Sequence, residues 1–286
     1  MLVICPTPIG NLEDITVRQR AALAGADIIA CEDTRRTGKL LELLGIARVD
    51  GRPKLWRYDD HSGIEALEGI IGALERGAQI TLVSDAGTPT ISDPGYRLVR
   101  ACRERGVRVE TLPGPVAALV ALSGSGLPTD RFFFAGFLPS SSGERIRRLE
   151  ELDERFGDVT VVLYESPKRI VETLGDLENL VGGSREVALA RELTKIHEEF
   201  LVGPLKKVRT ELEGRGSVKG EIVLCIGPAG PEKADLGAER QDEAIRLMLR
   251  EGLRARTIKE LMSGLFEMPR SAVYARIEAL KEETGD

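Results

Sequence analysis

The sequence predicts two consecutive α/β domains followed by a small helical unit. Short apolar runs alternate with amphipathic helical patterns from the first residues onward, the signature of a mostly parallel sheet covered by helices. That rhythm breaks at LPGP (Leu112 to Pro115) and then restarts. Beyond the linker-like GPAGPEKADLG at 227–237, the chain shows three short helical patterns and no further strand pattern. The domains are therefore drawn at 1–112, 116–229 and 236–286.

Each element follows from its local pattern. In the first domain, strands are expected over 2–5, 27–30, 54–57, 79–83 and 107–111. Helices are expected from about Thr16, which serves as N-cap, and over 34–44, 64–75 and 96–105, the last three closed by Gly45, Gly77 and Gly106. In the second domain a helix over 116–122 precedes strands over 131–135, 159–164, 186–190 and 221–226. The run SSSGERIRRLEELDERF begins as a loop and becomes a charged helix; further helices span 167–180 and 204–213, with Pro167 and Pro204 near N1. Residues 197–202 read as an additional, antiparallel strand. The C-terminal helices cover 239–251, 256–266 and 270–282, the last opened by Pro269. Within 239–281, nine Lys/Arg face seven Asp/Glu, a positive balance inside a chain of net charge −6. This ending resembles a helix-turn-helix or winged-helix-like unit suited to RNA, or else a plain helical cap or dimerisation element.

Composition narrows the function classes. With 286 residues and 42% hydrophobic content, the chain buries at least one full core. No apolar run approaches the roughly 20 residues that span a membrane, and MLVICPTPIG carries no basic leader, so a cytoplasmic protein is expected. Four cysteines without a CxxC pair read as buried free thiols, and two histidines, His61 and His197, give no basis for a His-rich metal site. A sequence pI near 5.3 argues against a nucleic-acid coat, although local clusters of positive charge matter more than the total.

The chemistry is expected in the loops that follow strand ends, where open α/β sheets bind ligands. The longest, LVSDAGTPTISDPG (Leu82 to Gly95), combines two Asp with Gly87, Gly95, Pro89 and Pro94, the make-up of a rigid small-molecule loop. PTPIGNLEDIT lacks GxGxxG, and no GxxxxGK[ST] occurs, which removes the dinucleotide and P-loop readings. In CEDTRRTGK, Arg35 and Lys39 are i,i+4 neighbours that can offer phosphate one positive face, or else are solvated surface charge. YESPKRI joins Tyr164, able to stack on a base or adenine, to Glu165, Lys168 and Arg169. ARELTKIHEE reads more readily as an ion-pair network than as a catalytic set.

Taken together and in this order, PTPIGNLEDIT, CEDTRRT, VSDAGTPTISDPG, LPGPVAAL, GFLP, YESPKR and ARELTKIHEE resemble the small-subunit ribosomal RNA (cytidine-2′-O) methyltransferases. These are a branch of the tetrapyrrole-methylase-like, S-adenosylmethionine-dependent superfamily. The resemblance covers about residues 2–226. It implies two α/β domains of the tetrapyrrole methylase type with the cofactor cleft between them, a C-terminal helical unit, and a homodimer. It implies S-adenosylmethionine as cofactor, with Pro8, Asp85, Ala86, Thr88, Val116, Ala117, Tyr164, Ala190 and, more loosely, Gly220 around it. Glu165 or Lys195 is expected to assist deprotonation of the ribose hydroxyl, and Arg35, Arg36, Lys39, Lys168 and Arg169 to hold RNA phosphates. The resemblance implies small-subunit ribosomal RNA or the small subunit as partner; Ser84-Asp85-Ala86 stands where tetrapyrrole methylases usually carry Gly-Asp-Pro, a departure consistent with the RNA branch and against a tetrapyrrole substrate. A corrin or porphyrin methylase and a non-catalytic RNA-binding assembly factor are the competing readings.

Overall fold

Strands buried on both faces read as continuous apolar runs, because residues alternate between two cores. In the computed structural model, which describes residues 1–59, 62–229, 238–266 and 268–284, the first sheet contains β1 (Leu2–Ile4), β2 (Ile28–Cys31), β3 (Lys54–Arg57), β4 (Ile80–Leu82) and β5 (Val109–Thr111). Their order is β3-β2-β4-β1-β5, and every neighbouring pair is parallel. Parallel pairing requires crossovers, four of whose helices are α1 (Val17–Ala24), α2 (Thr34–Leu43), α3 (Ile64–Glu75) and α4 (Tyr96–Glu104). Leu2, Ile28, Ala30, Ile80 and Leu82 pack with Ile70, Ile71, Leu98 and Cys102 of α3 and α4. Their alternate neighbours Val3, Ile29 and Cys31 pack with Leu23 and Leu41 of α1 and α2. The expected cap at Thr16 is present as a capping box with Gln19, and Asp33 caps α2 by accepting from the Arg35 and Arg36 backbone N–H groups.

The second sheet departs from the parallel pattern of the first. It comprises β6 (Phe132–Phe137), β7 (Thr160–Glu165), β8 (Glu186–Arg191), β9 (Glu199–Pro204) and β10 (Ile222–Ile226), ordered β6-β7-β10-β8-β9. Only β6 and β7 pair in parallel. The strand expected over 197–202 is β9, antiparallel to β8 and shifted toward Pro204. Helices α6 (Ser142–Phe156), α7 (Ile170–Val181) and α8 (Leu205–Glu213) cover one face through Leu149, Leu174 and Val208. The other face packs on α5 (Ala117–Gly124) and on Ile9, which comes from the first half of the chain. Helix α7 starts three residues later than the Pro167 signal suggests, because Ser166 to Arg169 close a turn of their own, with the Arg169 N–H donating to the Ser166 carbonyl.

Both sheets lie in one compact unit, Met1–Pro228. Its halves meet at the LPGP connection: Gln19 Nε2 donates to the Pro113 carbonyl at 2.9 Å, and Thr88 Oγ1 to the Pro115 carbonyl at 2.9 Å. Gly114 lies so close to Pro6 that a Cβ would collide with its ring. The second unit, Ala229–Asp286, holds α9 (Ala238–Arg250), α10 (Ala255–Leu265) and α11 (Arg270–Thr284) around Ile245, Ile258, Met262, Val273 and Ile277. Most of the expected linker, residues 230–237, lies outside the described residues, as does His61. No helix among the described residues is long and apolar enough to cross a membrane. All four cysteines are buried and free, and burial pushes Cys5 and Cys225 up to about 12.

Gly114→Ala should lower stability by about 1–3 kcal/mol, the cost of overpacking a tight backbone approach. Urea unfolding measures it. A loss no larger than that of a surface Gly→Ala change would show that the approach is slack.

Candidate active site

A cleft of about 370 Å³ opens where strand-end loops of the two halves face each other, within the size range of small-molecule sites. One wall is the loop after β4. Ser84 is buried there and its hydroxyl donates to the Ala86 and Gly87 carbonyls. Gly87, at φ 82°, exchanges backbone hydrogen bonds with Thr7 at 2.9 and 3.0 Å, which ties the first loop to this wall. Gly95, at φ 127°, sits where a Cβ would come within 2.8 Å of Leu82 Cδ2. Thr90 and Ser92 also have positive φ, as do Glu192 and Thr194 across the cleft. Such conformations cost on the order of 1–3 kcal/mol each and persist only where surrounding contacts impose them.

The opposite wall is built by β7, the β8–β9 loop and the start of β10. The Asn11 N–H donates to Thr194 Oγ1 at 3.0 Å, a second tie between the halves. Glu192 Oε1 accepts from Lys195 Nζ at 2.8 Å and from the Glu221 N–H at 3.0 Å. Lys195 also pairs with Glu221 at 3.0 Å. Partial burial pulls the Lys195 pKa down, but hydrogen bonds to Glu192 and Glu221 outweigh it, and the net shift is upward. Gly220, at φ 95°, leaves room for the Glu192 side chain. Farther along, Glu199 is gripped by Arg215 at 2.7 and 2.8 Å and by Arg191 at 3.0 Å, so ARELTKIHEE is an ion-pair network.

Of the expected residues, Ala86, Thr88, Val116, Ala117, Tyr164, Glu165 and Gly220 line the cleft. Tyr164 is packed edge-on by Phe134, and its hydroxyl accepts from the Ala118 N–H at 3.3 Å; burial raises its pKa. Pro8, Asp85, Ala190 and Lys195 are not among the lining residues. Ala190 is buried in the apolar layer beneath. Asp85 turns toward Arg36, its Oδ2 2.9 Å from Nη1, while Oδ1 is buried without a hydrogen-bond partner among the described residues. Ile9, Ser92, Phe137 and Leu193 also line the cleft, each inside one of the motifs quoted above but not singled out there; Asp93, the second carboxylate of the Leu82–Gly95 loop, lines it too, and Glu221, at the start of the last expected strand, carried no motif signal.

The candidate bases and phosphate ligands look different in three dimensions. The Glu165 side chain is 0% exposed; it accepts from the Ser166 N–H at 2.6 Å, Arg169 Nη2 at 2.6 Å and Thr173 Oγ1 at 2.7 Å. That cage makes Glu165 a positioning group for the turn, not a base open to substrate. Lys195 is held protonated and serves as a cation within its ion pairs. Arg169 is turned inward to Glu165 and to the Leu138 and Pro139 carbonyls, which removes it from a phosphate-binding surface. Arg35 pairs with its own cap Asp33, at 3.2 Å, and holds that carboxyl down to about 2. Lys39 pairs with Glu42 at 3.0 Å. Lys168 is exposed, and its side chain makes no hydrogen bond among the described residues.

Comparison with known proteins adds the following. A profile of the tetrapyrrole (corrin/porphyrin) methylases matches residues 1–209. The chain is similar to a Mesorhizobium japonicum protein named ribosomal RNA small subunit methyltransferase I, 42% identical over 100% of this chain and 94% of the relative. A Vibrio cholerae protein of the same name is 44% identical over 96% of this chain and 93% of its own length. Among solved structures, uroporphyrin-III C-methyl transferase from Thermus thermophilus complexed with S-adenyl homocysteine superposes with a TM-score of 0.51. It shares 19% identity, with 79% of this chain and 96% of that one covered, and so establishes likeness of fold.

Glu165→Ala should destabilise the protein by about 3 kcal/mol, because it strands the Arg169 charge and the Thr173 hydroxyl. Glu165→Gln should lose less, and thermal unfolding at pH 7 separates the two. A pH series tests the other cluster. Arg215 and Arg191 depress the Glu199 carboxyl from 4.5 to about 2, so its contribution is complete above about pH 4.5 and fades as pH falls toward 2. Glu199→Gln should therefore cost on the order of 1 kcal/mol at pH 7, with the gap to the native protein shrinking below pH 4.5. A constant gap across that range would remove the ion-pair account.

Proposed function

The chain belongs to the tetrapyrrole (corrin/porphyrin) methylase family, and from that premise we propose that it transfers a methyl group from S-adenosylmethionine to the ribose 2′-hydroxyl of a cytidine in small-subunit ribosomal RNA. The cleft carries this reading, a concave, largely apolar site built jointly by both halves, in a chain alike over its whole length to proteins named as small-subunit ribosomal RNA methyltransferases. A cytoplasmic location is part of the same reading. A homodimer belongs to the same reading, with the highly exposed Val17 and Ile196 as apolar side chains for it to cover.

The residues present fit the cofactor. Ile9, Val116 and Leu193 offer an apolar bed for a nucleoside, and Thr88 and Ser92 add polar groups. The orphaned Asp85 Oδ1 is a buried acceptor suited to a ligand hydroxyl or ammonium group. Ala86, Thr88, Val116, Ala117, Tyr164 and Gly220 would hold S-adenosylmethionine, with Asp85 accepting from it and Pro8 and Ala190 supporting the walls. When bound, the cofactor supplies a methyl group on a positively charged sulfur.

The protein's own contribution is positioning and proton management. The apolar walls exclude water from the methyl group. The ribose oxygen must lose its proton as it gains the methyl, and acceptance falls to carboxylates that line the cleft with access to solvent, Asp93 and Glu221. Lys195, charged between Glu192 and Glu221, fixes the second of these. Arg36 faces solvent while anchored to the cofactor loop through Asp85, so a phosphate it binds is registered against the cleft. Lys168, exposed, adds a positive charge, and Arg35 and Lys39 would reach a phosphate by exchanging their ion pairs with Asp33 and Glu42 for it.

Calorimetry should show S-adenosylmethionine binding to the native chain and at least about tenfold weaker binding, about 1.4 kcal/mol, to Val116→Trp, which fills the cleft. Incubation with labelled cofactor and small ribosomal subunits should place the label on the ribose of one cytidine. Transfer to a porphyrin with none to RNA would replace this reading with the corrin or porphyrin one; absence of any cofactor heat would leave an RNA-binding factor.

A further inference from the structure

Phe137 stands at the mouth of the cleft with 61% of its surface exposed, an expensive place for an aromatic side chain. Its position has a backbone cause. Strand β6 runs in register with β7 from Phe132↔Thr160 to Phe134↔Val162, then slips by one residue so that Gly136 faces Leu163 and Phe137 faces Tyr164. Side chains on β7 alternate: Val161 and Leu163 enter the core beneath α6 and α7, while Val162 and Tyr164 face α5 and the cleft. Phe133 and Ala135 pack on the former side and Phe134 on the latter. Uninterrupted alternation would send Phe137 inward with Phe133 and Ala135. The slip, centred on Gly136 at φ 67°, turns it outward onto the Tyr164 side. The chain thus gives up ladder regularity and a buried Phe to set an aromatic ring at the rim.

The ring packs against Tyr164 with centroids 5.3 Å apart and planes at 59°, an arrangement that leaves a ring face open to solvent. Behind it, Arg169 donates to the Leu138 and Pro139 carbonyls at 3.5 and 3.1 Å while bound to the buried Glu165. Across the mouth, a Cβ on Gly136 would lie 3.6 Å from Ser92 Oγ, so the loop after β4 borders the same opening. Tyr164, the aromatic that sequence reasoning selected for stacking, is the cleft wall that supports this ring.

We propose that Phe137 is the stacking platform for the nucleobase whose ribose enters the cleft, with Arg169 and Glu165 as its positioning residues. This rests on the RNA methyltransferase reading above. Unpaired bases are recognised by stacking on exposed aromatic faces, and the exposed ring at the mouth of the cleft offers such a face to the base attached to the reacting ribose.

The test compares native protein, Phe137→Ala and Phe137→Trp in methyl transfer to small ribosomal subunits, with S-adenosylmethionine affinity measured separately by calorimetry. Phe137→Ala should raise KM for subunits between about 5-fold and 150-fold, the range of one lost base–aromatic contact, and leave cofactor affinity unchanged. Phe137→Trp should restore KM. Its fluorescence, read against the native signal of the single Trp56, should be quenched by naked small-subunit RNA. An unchanged KM in Phe137→Ala, cofactor affinity that falls in parallel, or altered association between copies would overturn the proposal. Quenching by RNA with a native protein that methylates no RNA would overturn the function reading alone. A methylating native protein without quenching would overturn the stacking role alone, and failure of both would overturn both.

Discussion

The junction of three backbone segments sets everything else in the Met1–Pro228 unit. Residues around Thr7, Gly87 and Gly114 approach so closely that the first loop, the loop after β4 and the LPGP connection form one rigid knot. Thr7 and Gly87 exchange hydrogen bonds, Thr88 holds Pro115, and Gly114 has no space for a side chain beside Pro6. The knot decides where α5 begins, hence where Val116 and Ala117 meet the second sheet. Because Ile9 continues from the same knot into the apolar layer of that sheet, the two halves share a core at the floor of the cleft. The floor is therefore packed and the mouth is left to loops, the division of labour expected where a fixed site must admit a large substrate.

Charge plays a structural part at the walls. Glu165, Arg169, Glu192 and Lys195 are the residues a chemist would first suspect, yet each has its donors or acceptors engaged by a neighbour in the protein. Removing a charge from water is tolerable only when a partner and further hydrogen bonds compensate, and Glu165 meets that condition fully. The consequence is a site whose hydrogen-bonding groups are oriented before any ligand arrives. Arg36 and Asp85 form the exception, with one carboxylate oxygen paired at the surface and the other buried and unmatched. An unsatisfied buried acceptor costs free energy, so the loop after β4 carries a small unfavourable balance at Asp85.

Much of this was legible in the sequence, for reasons that particular residues make plain. Strand β2 is an unbroken apolar run because both faces are buried, and Thr16 and Gln19 announce the start of α1 by chemistry local to four positions. The rigid loop at Leu82 to Gly95 could be picked out because Gly87 and Gly95 are needed for backbone geometry. Side-chain partners were not legible. Nothing adjacent in sequence says that Lys195 will meet Glu221, 26 residues on, or that Arg169 will fold back onto the Pro139 carbonyl. Pro167 reads as a helix start because the turn from Ser166 to Arg169, closed by the Arg169 N–H on the Ser166 carbonyl, has no stronger local signature. Antiparallel placement of β10 between β7 and β8 is a tertiary choice that strand patterns do not encode.

The same distinction separates the frame from its rim. A solved structure at 19% identity shares the fold, and alternating apolar strands and tight turns are features that many sequences satisfy. A single-residue change in register has a large local effect in β6. One slipped residue at Ala135–Gly136 exchanges an inward Phe for an outward one without disturbing the core beneath, since Phe133 and Phe156 stack at 3.8 Å on the other face. A strand end that redirects an aromatic ring at so little cost to packing sets what stands at the mouth of the cleft while its floor stays packed.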